Sequence, residues 1–267
     1  MKKVFVLALI MSILCTAQAG YIKRSIMASG LRNYTLAFDG NGDPIAAATT
    51  SSLIPGAQSI VIIRANATMT RVFNVFTNEV IEIRDFHYVN DNLYILCGAH
   101  GTRAFVATMN GTFANMQFME YPEVSIFYSI WGGSPVALDY YVCGGKDGYG
   151  IIASVNRSTL DLTSLYRTEH WEYHKIILKE NPRRFVVSGR NPECTRIGYT
   201  EFIPPAFPTN NYYWEQNTEP ASLCVVGDNM LVNNQVILAS SWQNAVTLSL
   251  VYFGAASPVP SSYYFTL

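Results

Sequence analysis

The sequence predicts an all-β fold built from repeated four-stranded units. Apolar stretches that end in a small residue recur about every 45 to 50 residues, an interval typical of multi-stranded repeats. Turn-forming residues separate these stretches so closely that helices of about 10–12 residues do not fit between them. The composition agrees, because 49% of the residues are hydrophobic and 13% aromatic, as in β-rich cores.

The repeat is clearest in four apolar stretches, residues 94–98, 141–145, 185–189 and 236–240. Their last or next-to-last small residues align as Gly98, Gly144, Gly189 and Ser240. A short polar turn and a second apolar stretch follow each of them, at residues 104–107, 150–153, 195–199 and 246–250. The pairs predict the two central strands of each unit.

Gly/Asn/Asp/Pro clusters predict the tight reversals on either side of these strands. The turns between the first and second strands fall at residues 39–44, 90–92, 132–135, 180–182 and 227–229. Those between the second and third strands fall at residues 100–102, 146–148, 190–192 and 241–244. Residues 45–48 and 59–63 extend the pattern backwards into a first, weaker unit.

The repeats resemble generic β-propeller blades. They lack the Gly-His and Trp-Asp pairs of WD40 blades, and the kelch-like pair Gly144-Gly145 occurs in one unit only. The resemblance therefore stops at the superfamily and implies no catalytic residues. We expect a five-bladed β-propeller of four-stranded antiparallel blades, with a fragment of a longer propeller or a β-sandwich as alternatives.

The predicted domain organisation is a signal peptide followed by one propeller domain. Residues 1–19 combine Lys2 and Lys3, a short apolar run and a small-x-small cleavage site. Residues 20–267 then form a single domain with blades at approximately 33–80, 81–125, 126–172, 173–220 and 221–267. Residues 21–28 are also strand-like, and we expect them to close the ring.

The expected location is outside the cytoplasm of a bacterium, in the periplasm, the medium or at the cell surface. Cleavage removes two lysines and no acids, so the whole-chain net charge of −1 becomes more negative. A chain without a basic stripe argues against a nucleic-acid partner. No later stretch is long enough for a membrane span. The oligomeric state is left open.

Four cysteines remain after the predicted cleavage. Cys97 and Cys143 occupy equivalent apolar strand positions, which favours buried thiols that act as small hydrophobes. Cys194 and Cys224 complete the set, and the sequence does not choose among the possible pairings.

Two motifs have metal-like spacing, but neither predicts a metal site. Residues 39–43 space their oxygens as in a calcium loop, yet they fall where each unit has a turn. His170, Glu172 and His174 alternate as a zinc site would, without a clear further ligand. We therefore expect no metal and no cofactor.

Catalysis is left uncertain and is not favoured. A glycosidase would need a close pair of carboxylates, and the acids on or near the inner strands do not define one. These acids are Glu82, Asp85, Asp139 and Glu180.

A binding surface is the better-supported prediction. In propellers, the turns between second and third strands share a face with the connections between blades. The candidate ligand-binding residues there are His100, Arg103, Tyr121, Lys146, Asp147, Tyr149, Trp171, Arg190, Trp214 and Trp242. Aromatic side chains mixed with charges suit a glycan or a protein. The sequence thus predicts an exported, non-catalytic binding module, with a carbohydrate-active hydrolase or a structural surface protein as alternatives.

Overall fold

The computed structural model describes the strands of each repeat and some of the turns. The described residues are 32–38, 42–51, 56–64, 70–90, 93–112, 115–132, 138–180, 183–193, 196–206, 211–215, 224–232, 235–242, 245–251 and 260–266. The predicted signal peptide (1–19) and the predicted closing strand (21–28) lie outside them. Residues 39–41 of the candidate calcium loop (39–43) also lie outside them. Within the described part of the chain, no helix is long and apolar enough to cross a membrane.

The described residues form five four-stranded sheets. Sheet 1 contains β1 (Arg32–Phe38), β2 (Pro44–Ser51), β3 (Ala57–Arg64) and β4 (Thr70–Phe76). Sheet 2 contains β5 (Ile81–Asn90), β6 (Leu93–His100), β7 (Arg103–Asn110) and β8 (Met116–Tyr121). Sheet 3 contains β9 (Ile126–Trp131), β10 (Asp139–Lys146), β11 (Tyr149–Asn156) and β12 (Leu162–Glu169). Sheet 4 contains β13 (Glu172–Glu180), β14 (Arg183–Arg190), β15 (Arg196–Phe202) and β16 (Asn211–Glu215). Sheet 5 contains β17 (Cys224–Val232), β18 (Gln235–Trp242), β19 (Ala245–Val251) and β20 (Pro260–Thr266).

Each sheet is an antiparallel meander in which the strands lie in chain order. The all-β prediction and the four-stranded antiparallel units are therefore confirmed. The approximate unit bounds place Glu172 at the end of the third unit, and in the structure it is the first residue of β13. Its pairing with Arg190 across the β13–β14 ladder places it in sheet 4.

The first strands of consecutive sheets lie against one another. β1 contacts β5, β5 contacts β9, β9 contacts β13, and β13 contacts β17. The second and third strands lie farther out and pack face to face with the neighbouring sheets, so that β6, β7, β10 and β11 are buried almost throughout. Their continuous apolar runs are the sequence consequence of burying both faces.

The core is divided among the seams between sheets. Ile45, Ile62, Phe86 and Phe105 fill the seam between sheets 1 and 2. The next two seams have the same character: Val106, Phe127, Val142 and Ile151 lie between sheets 2 and 3, and Cys143, Tyr173, Phe185 and Val187 lie between sheets 3 and 4.

A β-bulge interrupts the first strand of every sheet at the same place. The pairing of the first and second strands shifts by one extra first-strand residue between Arg32 and Thr35, beside Arg84, beside Tyr128, beside His174, and between Val226 and Asn229. Bulges bend a strand and change the direction of its side chains. They also explain the repeat that the sequence shows.

The repeated glycines lie opposite these bulges, where the first strand comes too close for a side chain. A Cβ at Gly98 would lie 1.8 Å from the carbonyl oxygen of Glu82, and one at Gly144 would lie 1.9 Å from that of Ile126. At Gly189 the corresponding distance to the carbonyl oxygen of Glu172 is 2.1 Å. In sheets 2, 3 and 4 the repeated glycine therefore marks a close backbone contact between the first and second strands.

Candidate functional site

One face of the molecule collects the turns after the second strands and the connections between sheets. The N–H of Gly101 donates to the carbonyl of Val80 over 2.9 Å, which ties the β6–β7 turn to the connection before β5. Lys146 Nζ donates to the carbonyl of Pro122 over 2.6 Å and ties the β10–β11 turn to the next connection. We call the surface formed by residues 77–84, 100–103, 120–125, 146–149, 167–174 and 190–193 the connection face.

His100 and Arg103 belong to a charged cluster where sheets 1 and 2 meet. The His100 side chain is buried, with Nδ1 against Glu120 and Nε2 2.6 Å from the Thr77 hydroxyl. Arg103 pairs with Glu79 and lies 3.1 Å from Glu120 Oε2. The cluster joins the two sheets, and Arg103 and Glu79 are its exposed members.

Lys146, Asp147 and Tyr149 line a partly open groove of about 150 Å³, together with Ile151 and Arg167. We call it the Tyr149 groove. The β10–β11 turn places these side chains, with Asp147 in the left-handed region at a φ of 51°. Tyr149 is 40% exposed although it is a large aromatic residue, so its ring is available to a partner.

Arg167 is the member of the groove that the sequence analysis missed. It lies on the outer strand β12, and the β11–β12 ladder pairs it with Ile151. Sequence reasoning looked for binding residues in turns, whereas the strand register brings this arginine to the groove. The one available signal was its position directly before the connection to sheet 4.

Two of the predicted aromatic residues lie beneath the surface. Tyr121 is 3% exposed, and its hydroxyl donates to the carbonyl of Leu160 over 2.6 Å. Burial raises the pKa of Tyr121 well above its ordinary value, so its hydroxyl stays protonated. Trp171 is 5% exposed and packs edge-on to Tyr173. Both rings therefore support the face from below.

Arg190 pairs with Glu172 at the start of sheet 4. Its Nε lies 3.3 Å from Glu172 Oε2, and His174 Nε2 lies 3.5 Å from the same oxygen. The close contact with His174 and the nearby Arg190 charge outweigh burial and lower the pKa of Glu172. Glu172 is therefore an ionised carboxylate that faces both Arg190 and His174. The described residues contain no group of three His, Cys, Asp or Glu side chains arranged to hold a metal.

Trp214 and Trp242 lie on strands β16 and β18. Their side chains are outside the described part of the structure, so the structure brings together the other eight predicted residues on or under the connection face.

Asp85 forms a second polar centre where the first strands of sheets 2, 3 and 4 meet. Its Oδ2 accepts hydrogen bonds from the Ser129 hydroxyl at 2.6 Å and the Ile130 N–H at 3.2 Å. Lys175 Nζ donates to the same oxygen over 3.3 Å, and the Phe86 N–H donates to Oδ1. A carboxylate engaged by four donors is a structural acceptor, and the Ser129 hydroxyl beside it is fully buried.

Cys97 and Cys143 lie behind this centre as free, fully buried thiols. Burial, and then the Asp85 charge, raise the pKa of both, so neither forms a reactive thiolate. The prediction that they act as small hydrophobes agrees with this placement.

Comparison with known proteins finds likeness in structure alone. No family model and no curated protein matches the sequence. Among solved structures, the Dos1 propeller superimposes with a TM-score of 0.57 at 9% identity, over 90% of this chain and 63% of that one. The Cps50 (Swd1) propeller domain from Myceliophteria thermophila gives 0.52 at 10% identity, over 84% of this chain and 70% of that one.

A structure described as an enzyme superimposes with a similar TM-score. A protein described as a putative 6-phosphogluconolactonase from Bacteroides uniformis gives a TM-score of 0.53 at 10% identity, over 87% of this chain and 71% of that one. The present chain spans less than two thirds of the Dos1 structure. Identities this low show the fold and nothing of the activity. The chain therefore has a β-propeller fold.

Proposed function

We propose that this chain is an exported, non-catalytic binding module whose partner is another protein, docked on the connection face over the Tyr149 groove. The observation that carries the proposal is the groove itself. The exposed aromatic residue Tyr149 lines it together with the basic Lys146 and Arg167 and the acidic Asp147. Tyrosine and arginine are the residue types that supply most energy at protein interfaces.

The size of the groove favours a protein over a small molecule. Its volume of about 150 Å³ is below the 300–1,000 Å³ that is usual for ligand pockets. It can receive one side chain of a partner whose main contact is with the surrounding surface. Exposed paired charges such as Arg103 with Glu79 lie on the same connection face, and polar groups of this kind are usual at the rim of a protein interface.

The aromatic side chains favour a protein over a glycan. A glycan site needs exposed rings on which sugars can stack, and among the described residues of this face Tyr121 and Trp171 are buried. Tyr149 alone of these three presents its ring. The saturated Asp85 carboxylate supports a non-catalytic role, because a glycosidase needs a free pair of carboxyl groups.

The test compares the wild-type chain with Tyr149→Ala/Arg167→Gln as bait for surface and secreted proteins, beside a glycan array. Leu138→Ala is the matched control, since Leu138 is 83% exposed on the opposite, β9–β10 side. We expect one protein that wild type and control retain, and an affinity for it that falls at least tenfold in the groove variant, as for a hot-spot pair. Equal retention by all three baits would overturn the docking site. Array binding that the groove variant loses would replace the protein partner with a glycan.

A further inference from the structure

The bulge in each first strand points to a site that the Tyr149 groove does not include. The extra residues are Arg84 in β5, Tyr128 in β9 and His174 in β13, at equivalent positions of three consecutive sheets. Arg84 is the fourth residue of β5, and Tyr128 and His174 are the third residues of β9 and β13, so all three lie where the first strands reach the connection face.

These three side chains form a continuous stack across the first strands. The rings of Tyr128 and His174 are stacked, with centroids 4.5 Å apart and planes 20° from parallel. The guanidinium carbon of Arg84 lies 5.7 Å from the centroid of the Tyr128 ring. One bulge residue from each of sheets 2, 3 and 4 therefore contacts the next.

Packing alone does not account for these residue types. The positions before the bulge are occupied by Ile83, Phe127 and Tyr173, which are all buried in the seams. The bulge positions instead carry a guanidinium, a phenol and an imidazole. The bulge repeats in each sheet while the residue at the bulge changes, so the side chains of these three residues are candidates for a role other than packing.

The three side chains are all hydrogen-bond donors. Arg84 pairs with Glu82, yet its side chain is 44% exposed and its fork holds five N–H groups. Burial, followed by the Glu172 charge, raises the pKa of Tyr128, so its hydroxyl remains a neutral donor. His174 Nε2 is buried and, among the described residues, has no hydrogen-bond partner; it lies 3.5 Å from Glu172 Oε2, which Arg190 also contacts. The charges of two arginines, Arg84 and Arg190, thus act on Tyr128 together with those of the two carboxylates that pair with them, Glu82 and Glu172.

We propose that Arg84, Tyr128 and His174 form a binding site for a single oxyanionic group, a carboxylate or a phosphate, at the end of the first strands on the connection face. Arg84 supplies the forked contact that planar oxyanions prefer, and Tyr128 and His174 donate from beside it. The site uses none of the groove residues, so it goes beyond the proposed protein docking and can be tested separately.

The probes are inorganic phosphate and acetate, titrated into the full chain at constant ionic strength. Binding is followed by the imidazole ¹H–¹⁵N signals, because the chain has four histidines and His174 can be assigned by substitution. The variants are Arg84→Gln and Tyr128→Phe, and Arg167→Gln is the control that removes the same charge elsewhere on the face. We expect saturable movement of the His174 signals, and affinity about tenfold weaker in Arg84→Gln but unchanged in Arg167→Gln.

The two probes separate the sources of the oxyanion. Saturation by phosphate alone identifies a phosphorylated ligand, and saturation by acetate identifies a carboxylate. Linear, unsaturated movement with both probes, or equal affinity in Arg84→Gln and Arg167→Gln, would overturn the site. If Arg84→Gln does not fold, Tyr128→Phe serves as the test. Loss of the Tyr128 hydroxyl donor must also lower the affinity for the anion measurably. A negative result in this titration does not bear on protein docking at the Tyr149 groove, and a negative result at the groove does not bear on this anion site.

Discussion

The repeated glycine permits the clearest quantitative test of the fold. In Gly144→Ala the new Cβ would lie 1.9 Å from the Ile126 carbonyl oxygen and 2.9 Å from its carbon. An ordinary contact is near 3.4 Å or more, and backbone cannot rotate away as a side chain can. β9 must therefore move by well over an ångström relative to β10 and weaken the hydrogen bonds beside the bulge.

The expected loss of unfolding free energy is about 3 kcal/mol, from one or two weakened backbone hydrogen bonds at about 1 kcal/mol each together with overpacking of about 1–3 kcal/mol. Gly145→Ala is the matched control. The neighbouring glycine would place its Cβ 3.3 Å from the Tyr149 carbonyl oxygen and 3.9 Å from Glu172, and its φ is not positive. We expect that variant to lose less than about 1 kcal/mol.

Urea denaturation of the wild type and both variants measures the difference, with thermal melting as a second assay. At this chain length about 3 kcal/mol corresponds to a fall in Tm of about 6–12 °C. Equal stability of Gly144→Ala and Gly145→Ala, within about 0.5 kcal/mol, would refute the reasoning that the close approach at the bulge requires glycine.

Three further predictions concern polar groups. Asp85→Ala should destabilise the protein by about 3–5 kcal/mol in denaturation, because it removes the acceptor that the Ser129 hydroxyl, the Ile130 N–H and Lys175 share, whereas Ser129→Ala should cost only about 1–2 kcal/mol. Burial lowers the pKa of His87 below its ordinary value of 6.5, so the contribution of His87 to stability is complete above pH 6.5 and is lost as the pH falls below 6.5. Melting curves from pH 7.5 to 5 should show the Tm of the wild type falling with pH, and the Tm of His87→Gln falling less. An equal dependence of Tm on pH in the two proteins would contradict this prediction. Tyr121→Phe should lose about 1 kcal/mol through the missing bond to Leu160, with partner binding unchanged, and a loss of binding would show that its hydroxyl contacts the partner.

The sequence by itself determined the all-β class and the repeating four-stranded unit. These follow from local features, namely continuous apolar strands and turn residues at regular spacing, which act without reference to distant parts of the chain. The sequence also identified the turns of the connection face, so that Lys146, Asp147 and Tyr149 could be named as candidates before their common groove was known. The same turn-based reasoning could not find Arg167, since that residue reaches the groove through strand register.

The tertiary structure decided which candidates are exposed and why the glycines repeat. Tyr121 and Trp171 have the same residue types as binding aromatics, and only the packing of neighbouring sheets shows that they are buried. The contact of Lys175 with Asp85 joins strands 90 residues apart, a distance over which no local pattern carries information. The bulges are likewise invisible in one strand alone, because an extra residue exists only relative to the strand it pairs with. Local chemistry therefore determines which segments form strands, and the pairing and packing of distant strands determine which side chains those strands expose.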